Sequence, residues 1–231
     1  MDRLSLPTSL LPYPLPPWHQ NFRSLSVFCE VDEENLRSFI PAPLELISNI
    51  VQISVMFFDN CDPLRPYYDS GVIAPVRYKE ISGSYWVFGF TSTDEVLSGI
   101  REIWGYNFKL AQKIELEERE DEIQGFMQRL GKKLIHLTMK PTQEEFTPPF
   151  VNFHRMFLKL IPKADVPEAD VKKIIIMDAT PQSILVSKTG EGSVSFQPSE
   201  VDPIYKLNPK KVTGASFTTG YQILPWGREC D

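Results

Sequence analysis

The side chains in this sequence able to do nucleophilic, metal or proton-transfer chemistry are few and widely spread, and their spacing excludes more than it suggests. His19, His136 and His154 form no pair with metal-ligand spacing. His136 and His154 each fall at an alternating position of a strand-like run, and all three histidines read as structural. Cys29, Cys61 and Cys230 contain no CxxC pair, so an odd number of scattered thiols reads as free cysteines. Cys61, in DNCDP (59–63), has no neighbour in sequence that would lower its pKa. The acidic run ELEEREDE (115–122) has the composition of a solvated hairpin flank. No GxGxxG, P-loop, GxSxG or HExxH element occurs, which excludes nucleotide, serine-hydrolase and zincin readings. Two residues stay open. Asp69, ahead of Ser70-Gly71, either caps that bend or serves as an acid, base or orienter. Lys109 is either a solvated or ion-paired surface group or an amine turned into a pocket.

The elements that must position these residues follow from composition and pattern. The chain has 231 residues, 42% of them hydrophobic, enough for one well-filled core and short for two. Lys plus Arg number 24 against 30 Asp plus Glu, a formal charge of -6 with no basic stripe, so no nucleic-acid partner is expected. Pro7, Pro12, Pro14, Pro16 and Pro17 break the first apolar stretch, unlike a signal peptide, and no apolar run reaches membrane-spanning length. The expectation is therefore a cytoplasmic protein without a membrane partner. Residues 1–20 read as a proline-rich arm and 21–231 as a single domain.

Within that domain, Leu25, Val27, Cys29 and Val31 alternate as a half-buried strand, and Asp32 then caps a short helix over EENLRSFI. Strand-like runs follow at 50–58, 70–78 and 83–91. The clearest helix starts at Thr93 or Asp94, carries Val96, Leu97, Ile100, Ile103 and Trp104 on one face, and ends near Gly105 and Asn107. Two strands meet around 130–132, and further strands are expected at 151–161, 171–179, 183–188, 193–196 and 215–225. Many strands and few helices imply an α+β fold dominated by an antiparallel sheet, closed into a barrel.

Four segments in order resemble the acetoacetate decarboxylase superfamily: VDEENLRSFIPAPLEL (31–46), DSGVIAPV (69–76), GIREIWGYNFKLA (99–111) and NFHRMFLKLIP (152–162), with TGYQILPWGREC (219–230) a weaker fifth. The resemblance implies a cone-like β-barrel with few flanking helices, a small-molecule substrate, no cofactor and homo-oligomeric assembly. It also implies imine chemistry on a lysine made neutral by its surroundings, of which acetoacetate decarboxylase is the familiar example. That lysine belongs to a stretch running aromatic-Pro-Lys-Lys-Leu. Here the stretch reads Tyr106, Asn107, Phe108, Lys109, Leu110, which puts Phe108 at the nucleophile position and Lys109 at the position of its perturbing neighbour. The arginine the family carries after its arm falls on Phe22, beside Arg23, and one site glutamate falls on Ser54. Only the second acid survives in kind, as Asp69.

Replacing an amine, a guanidinium and a carboxylate by Phe, Phe and Ser suits a larger, less charged pocket, because buried charges cost several kcal/mol each unless paired. The expectation is a diverted enzyme that cyclises, isomerises or dehydrates a carbonyl-rich, polyketide-type metabolite without an imine. Asp69 would be its acid or base, Arg23, Ser54 and Tyr106 would orient an oxygen, and Phe22 and Phe108 would form walls. Two alternatives stand beside it. A one-residue shift at Asn107 would turn Lys109 inward for Schiff-base chemistry on a keto acid, as a decarboxylase or aldolase-dehydratase. A non-catalytic binding protein would keep only the pocket.

Overall fold

Period-two patterning governs the molecule, and both faces of its central strand are buried. The structure, a computed structural model, describes residues 11–150, 154–179 and 181–230. In chain order the elements are β1 (Trp18–Glu30), α1 (Glu33–Ser38), β2 (Glu45–Leu46), β3 (Ile50–Asp62), β4 (Tyr67–Tyr78), β5 (Ile81–Thr91) and α2 (Asp94–Ile103). Then come β6 (Lys109–Leu110), β7 (Lys113–Glu118), β8 (Ile123–Arg129), β9 (Lys132–Thr142), β10 (His154–Pro162), β11 (Ala169–Asp178), β12 (Pro181–Ser195), a 3-10 turn (Ile204–Leu207), β13 (Lys211–Leu224) and β14 (Arg228–Cys230).

One sheet runs β14-β11-β10-β5-β4-β3-β1-β13-β12-β9-β8-β7, with β2 against β4 and β6 against β5. Its pairings are antiparallel except β5 with β10 and β5 with β6. The sheet is open: β7 and β14 end the ladder without pairing with each other, so the expected closed barrel is corrected to a curled open sheet. Physical reasons lie in the two edges. β7 reads KIELEE, a charged edge that resists further pairing, and β14 has only three residues. Curling still brings β8 over β3, where Gly125 lies so close to Val55 that a Cβ would meet its side chain at 2.8 Å.

Local rules explain the helices. Asp32 accepts a hydrogen bond from the Asn35 amide at 3.1 Å and caps α1, as its sequence suggests. α2 buries Val96 and Ile100, and beyond its end Trp104 meets Trp18 edge-on at 4.9 Å. Gly105 then adopts φ +90° with the Lys159 backbone pressed against it, a position only glycine accepts. Two boundaries move. The sheet begins at Trp18, so the last three residues of the expected arm belong to β1, and the two strands expected at 183–188 and 193–196 are one long β12. Residues 151–153 of the expected strand at 151–161 lie outside the described residues, and its remainder is β10.

Leu25, Val27 and Cys29 of β1 face the main core with Val51, Ile53 and Val55 of β3. A second, aromatic-rich cluster containing Phe22, Phe58, Tyr67, Trp86, Tyr106 and Phe108 fills the other side. The site lies on that side.

Candidate active site

Asp69 is the third residue of β4, opposite Met56 of β3 and Thr91 of β5, so its side chain is held by sheet register rather than by a loop. It faces a cavity of ≈ 20 Å³ bounded by Tyr67, Trp86, Tyr106, Arg155 and Gln222 among others. Burial pushes its carboxyl from 3.8 up to about 7, against opposing contributions from the Thr91 hydroxyl and the Arg155 guanidinium. The same burial raises the Tyr106 phenol, which Arg155 partly offsets, and raises Tyr67 well above its usual value with Asp69 adding to the effect. Neither phenol ionises near neutrality, so both are proton-bearing donors.

Arg155 enters from β10, where it is the one charged residue among apolar neighbours that stays buried. Its Nη2 donates to Gln222 Oε1 at 3.0 Å, Gln222 Nε2 donates to Gln20 Oε1 at 3.0 Å, and Gln20 Nε2 donates to the Tyr67 hydroxyl at 2.6 Å. This chain spans β10, β13, β1 and β4 and fixes the guanidinium from one side. Three buried polar atoms around the cavity have no hydrogen-bond partner among the described residues: Asp69 Oδ1, Arg155 Nε and Trp86 Nε1. Buried polar groups are rarely left so, which makes the trio a candidate for meeting a ligand.

Next to this cavity, and sharing Met56, Arg155 and Gln222 with it, lies a larger chamber of ≈ 200 Å³. Phe22, Phe28 and Phe150 contribute its rings, and Ser24, Ser26, Gln52, Ser216 and Thr218 its polar atoms. No lysine lines either space among the described residues.

The seven residues expected from the sequence divide. Asp69 and Tyr106 bound the inner cavity, and Phe22 lines the outer chamber. Phe108 is buried behind the wall, edge-on to Trp86 at 4.9 Å and to Tyr106 at 5.0 Å, in space left open by Gly89. Ser54 lies beneath the floor, within 2.9 Å of Ser26 Oγ and 3.0 Å of Gln52 Nε2. Arg23 and Lys109 do not join the site. Arg23 lies half-exposed over the Phe57 ring and 4.0 Å from Asp59, while Lys109 Nζ is 2.6 Å from Asp202 Oδ1 and 3.2 Å from the Val201 carbonyl. One reason covers both corrections: each follows an inward phenylalanine, and alternation turns the next side chain away.

Sequence reasoning missed Arg155, Gln222, Gln20, Tyr67 and Trp86. The legible signal was Arg155 itself, a charge inside an otherwise apolar strand, where burial requires partners. Gln20 falls within the proline-rich stretch that the sequence marks as an arm.

A buried acid and a buried guanidinium thus border one small space on one face of a curled sheet. The chain belongs to the acetoacetate decarboxylase family, whose model matches residues 5–228. An acetoacetate decarboxylase of Acidiphilium cryptum is 28% identical over 203 residues, covering 85% of this chain and 81% of that protein. Acetoacetate decarboxylase 2 of Mesorhizobium japonicum is 31% identical over 108 residues, 46% of this chain and 41% of its own. Among solved structures, the acetoacetate decarboxylase of Legionella pneumophila superposes with a TM-score of 0.86 at 26% identity, covering 96% of this chain and 90% of that one. The enduracididine biosynthesis enzyme MppR, complexed with the condensation product of pyruvate and imidazole 4-carboxaldehyde, shares the fold with a TM-score of 0.84 at 14% identity, covering 98% and 95%.

Proposed function

We propose that the protein is a lyase- or isomerase-type enzyme that moves a proton on a carbonyl-rich, polyketide-type metabolite, leading to cyclisation, isomerisation or dehydration without a lysine imine. One observation carries this reading: the buried Asp69 carboxyl, raised to about 7, presents an unpartnered oxygen to a cavity that no lysine lines among the described residues. An acid with this pKa populates both forms near neutrality, as a group that takes and returns a proton should.

The carboxylate of Asp69 removes a proton from the carbon beside a ketone, and the electron pair of that C–H bond moves onto the ketone oxygen as an enolate. Arg155 Nε, aided by the Trp86 and Tyr106 donors, meets the developing negative charge; preorganised donors in a dry site are worth more than in water. The proton now on Asp69 has three possible destinations. Returned to another carbon, it gives isomerisation. Delivered to a departing hydroxyl, it gives an alkene and water. Delivered to a second carbonyl oxygen as the enolate carbon attacks that carbonyl, it gives ring closure. Each outcome regenerates the Asp69 carboxylate. MppR, solved with pyruvate and with a condensation product, is an example of the fold accommodating carbonyl compounds in another protein.

Two measurements test the proposal. In deuterated buffer, β-diketone probes such as acetylacetone should exchange their α-protons faster with the protein than with buffer, and Asp69→Asn should remove the excess. Borohydride treatment with acetoacetate, pyruvate or acetylacetone should leave every lysine unmodified by mass spectrometry. A reduced adduct on Lys109 would restore imine chemistry and sink the reading; binding without exchange would leave a non-catalytic protein.

A further inference from the structure

We propose that the outer chamber is a subsite for the ring of an aryl ketone carrying 1,3-related hydroxyl groups, with the ketone directed at Arg155 and Asp69. This deepens the proposed function and rests on it for the reactive end alone. The inner cavity, at ≈ 20 Å³, accommodates a carbonyl or methyl group and little more, whereas the adjoining chamber holds ≈ 200 Å³. Met56, Arg155 and Gln222 bound both, so a single ligand can run from one to the other.

The floor of the chamber is written along β1. Phe22, Ser24, Ser26 and Phe28 alternate on one face, two hydroxyls between two rings. The register brings Ser26 between Ser54 and Ser216, and Ser24 between Met56 and Thr218. Ser26 Oγ lies 2.9 Å from Ser54 Oγ and 3.2 Å from Ser24 Oγ, and Gln52 Nε2 donates to Ser26 at 2.9 Å. Each hydroxyl has one donor and two acceptor sites, so Ser26 is filled by its three partners while Ser24 keeps spare capacity, and Ser216 and Thr218, which also line the chamber, make no side-chain hydrogen bond among the described residues.

Three ligand classes can be weighed against this surface. A purely apolar group would leave the hydroxyl row facing hydrocarbon, at the cost of unmade hydrogen bonds. A small keto acid would leave Phe22, Phe28 and Phe150 uncovered, contrary to the close burial that ligand sites give. A flat ring bearing two hydroxyls satisfies both, since β1 and β13 carry the facing residues Ser24 and Thr218, and Ser26 and Ser216, on backbones about 4.8 Å apart, the scale on which alternate oxygens stand around a ring.

The test is calorimetric binding of 3,5-dihydroxyacetophenone, acetophenone and acetoacetate to the full chain. The dihydroxy probe should bind on the order of tenfold more tightly than acetophenone, as one or two net hydrogen bonds provide. Ser24→Ala and Ser216→Ala should each narrow that gap while leaving acetophenone binding in place, with the thermal midpoint confirming the fold. Equal affinity for the two aryl ketones, a gap that survives both substitutions, or binding of acetoacetate alone would overturn the subsite. Because no turnover is read, a lysine adduct under borohydride would remove the imine-free reading and leave the ring preference standing.

Discussion

Two buried aspartates show what separates a structural charge from a candidate catalytic one. Asp202, with its side chain 1% exposed, places Oδ1 against Lys109 Nζ at 2.6 Å and Oδ2 against Arg129 Nε at 3.1 Å. Both oxygens are used, and both partners are cations. Asp69 is also buried, yet its Oδ1 has no partner among the described residues and the cation that acts on it, Arg155, spends a hydrogen bond on Gln222. The first carboxylate has its burial offset by pairing; the second is left with its proton held unusually tightly, and it borders a cavity.

If the comparison is right, the largest effect belongs to Asp69. Asp69→Asn should lower proton exchange on a β-diketone by about a thousandfold, within the range that general acid–base groups contribute. Near-wild-type exchange in a folded variant would erase the distinction between the two aspartates. The same substitution carries a stability signature of comparable size. A carboxyl raised from 3.8 to about 7 binds its proton more tightly in the native state than in the unfolded chain. Its contribution is therefore fully present below pH 3.8 and is lost as pH rises through about 7. Asparagine has no such loss. Urea unfolding should find the variant gaining on the wild type from pH 5 to pH 8, by up to about 3 kcal/mol. A difference that stays flat with pH would mean that Asp69 is not holding a proton in this way.

Asp202→Asn should do the reverse, destabilising by about 3 kcal/mol because two cations lose a buried partner. Exchange per folded molecule should not change. A variant that unfolds no more easily but loses exchange would move Asp202 into the machinery and break the comparison from the other side.

The fold was legible wherever one period ruled. The strands at 50–58, 70–78 and 83–91, the cap at Asp32 and the apolar stripe of α2 all follow from local spacing, and the structure has them within a few residues. Closure of the sheet was not legible, because it depends on whether two distant edges meet, and no local pattern records that. The site was half legible for a related reason. In β1, Leu25 and Val27 mark a buried face and the intervening serines suggest solvent, but the same alternation is produced when the polar face lines an internal chamber. Alternation turns Phe22 and Phe108 inward, whereas Arg23, next to Phe22 in sequence, stands on the opposite face. Arg155 and Gln222 are 67 residues apart along the chain, and their contact depends on tertiary closure that spacing cannot express.

Lys109 gives the smallest effect and the sharpest use of the comparison. Its side chain is 43% exposed and shares Asp202 with Arg129, so in Lys109→Ala the Asp202 carboxylate keeps one cation and the Asp202 amide keeps its bond to Ser199 Oγ. A partly solvated ion pair of this kind contributes on the order of 1 kcal/mol, and the loss should be felt as a small drop in the unfolding midpoint. Exchange on a β-diketone should match the wild type, since Phe108, not Lys109, faces the aromatic cluster behind the cavity. An amine that formed an imine would behave in the opposite way: stability nearly intact, activity gone. Measuring both quantities on this one variant therefore asks whether the lysine belongs with Asp202, as its geometry has it, or with Asp69.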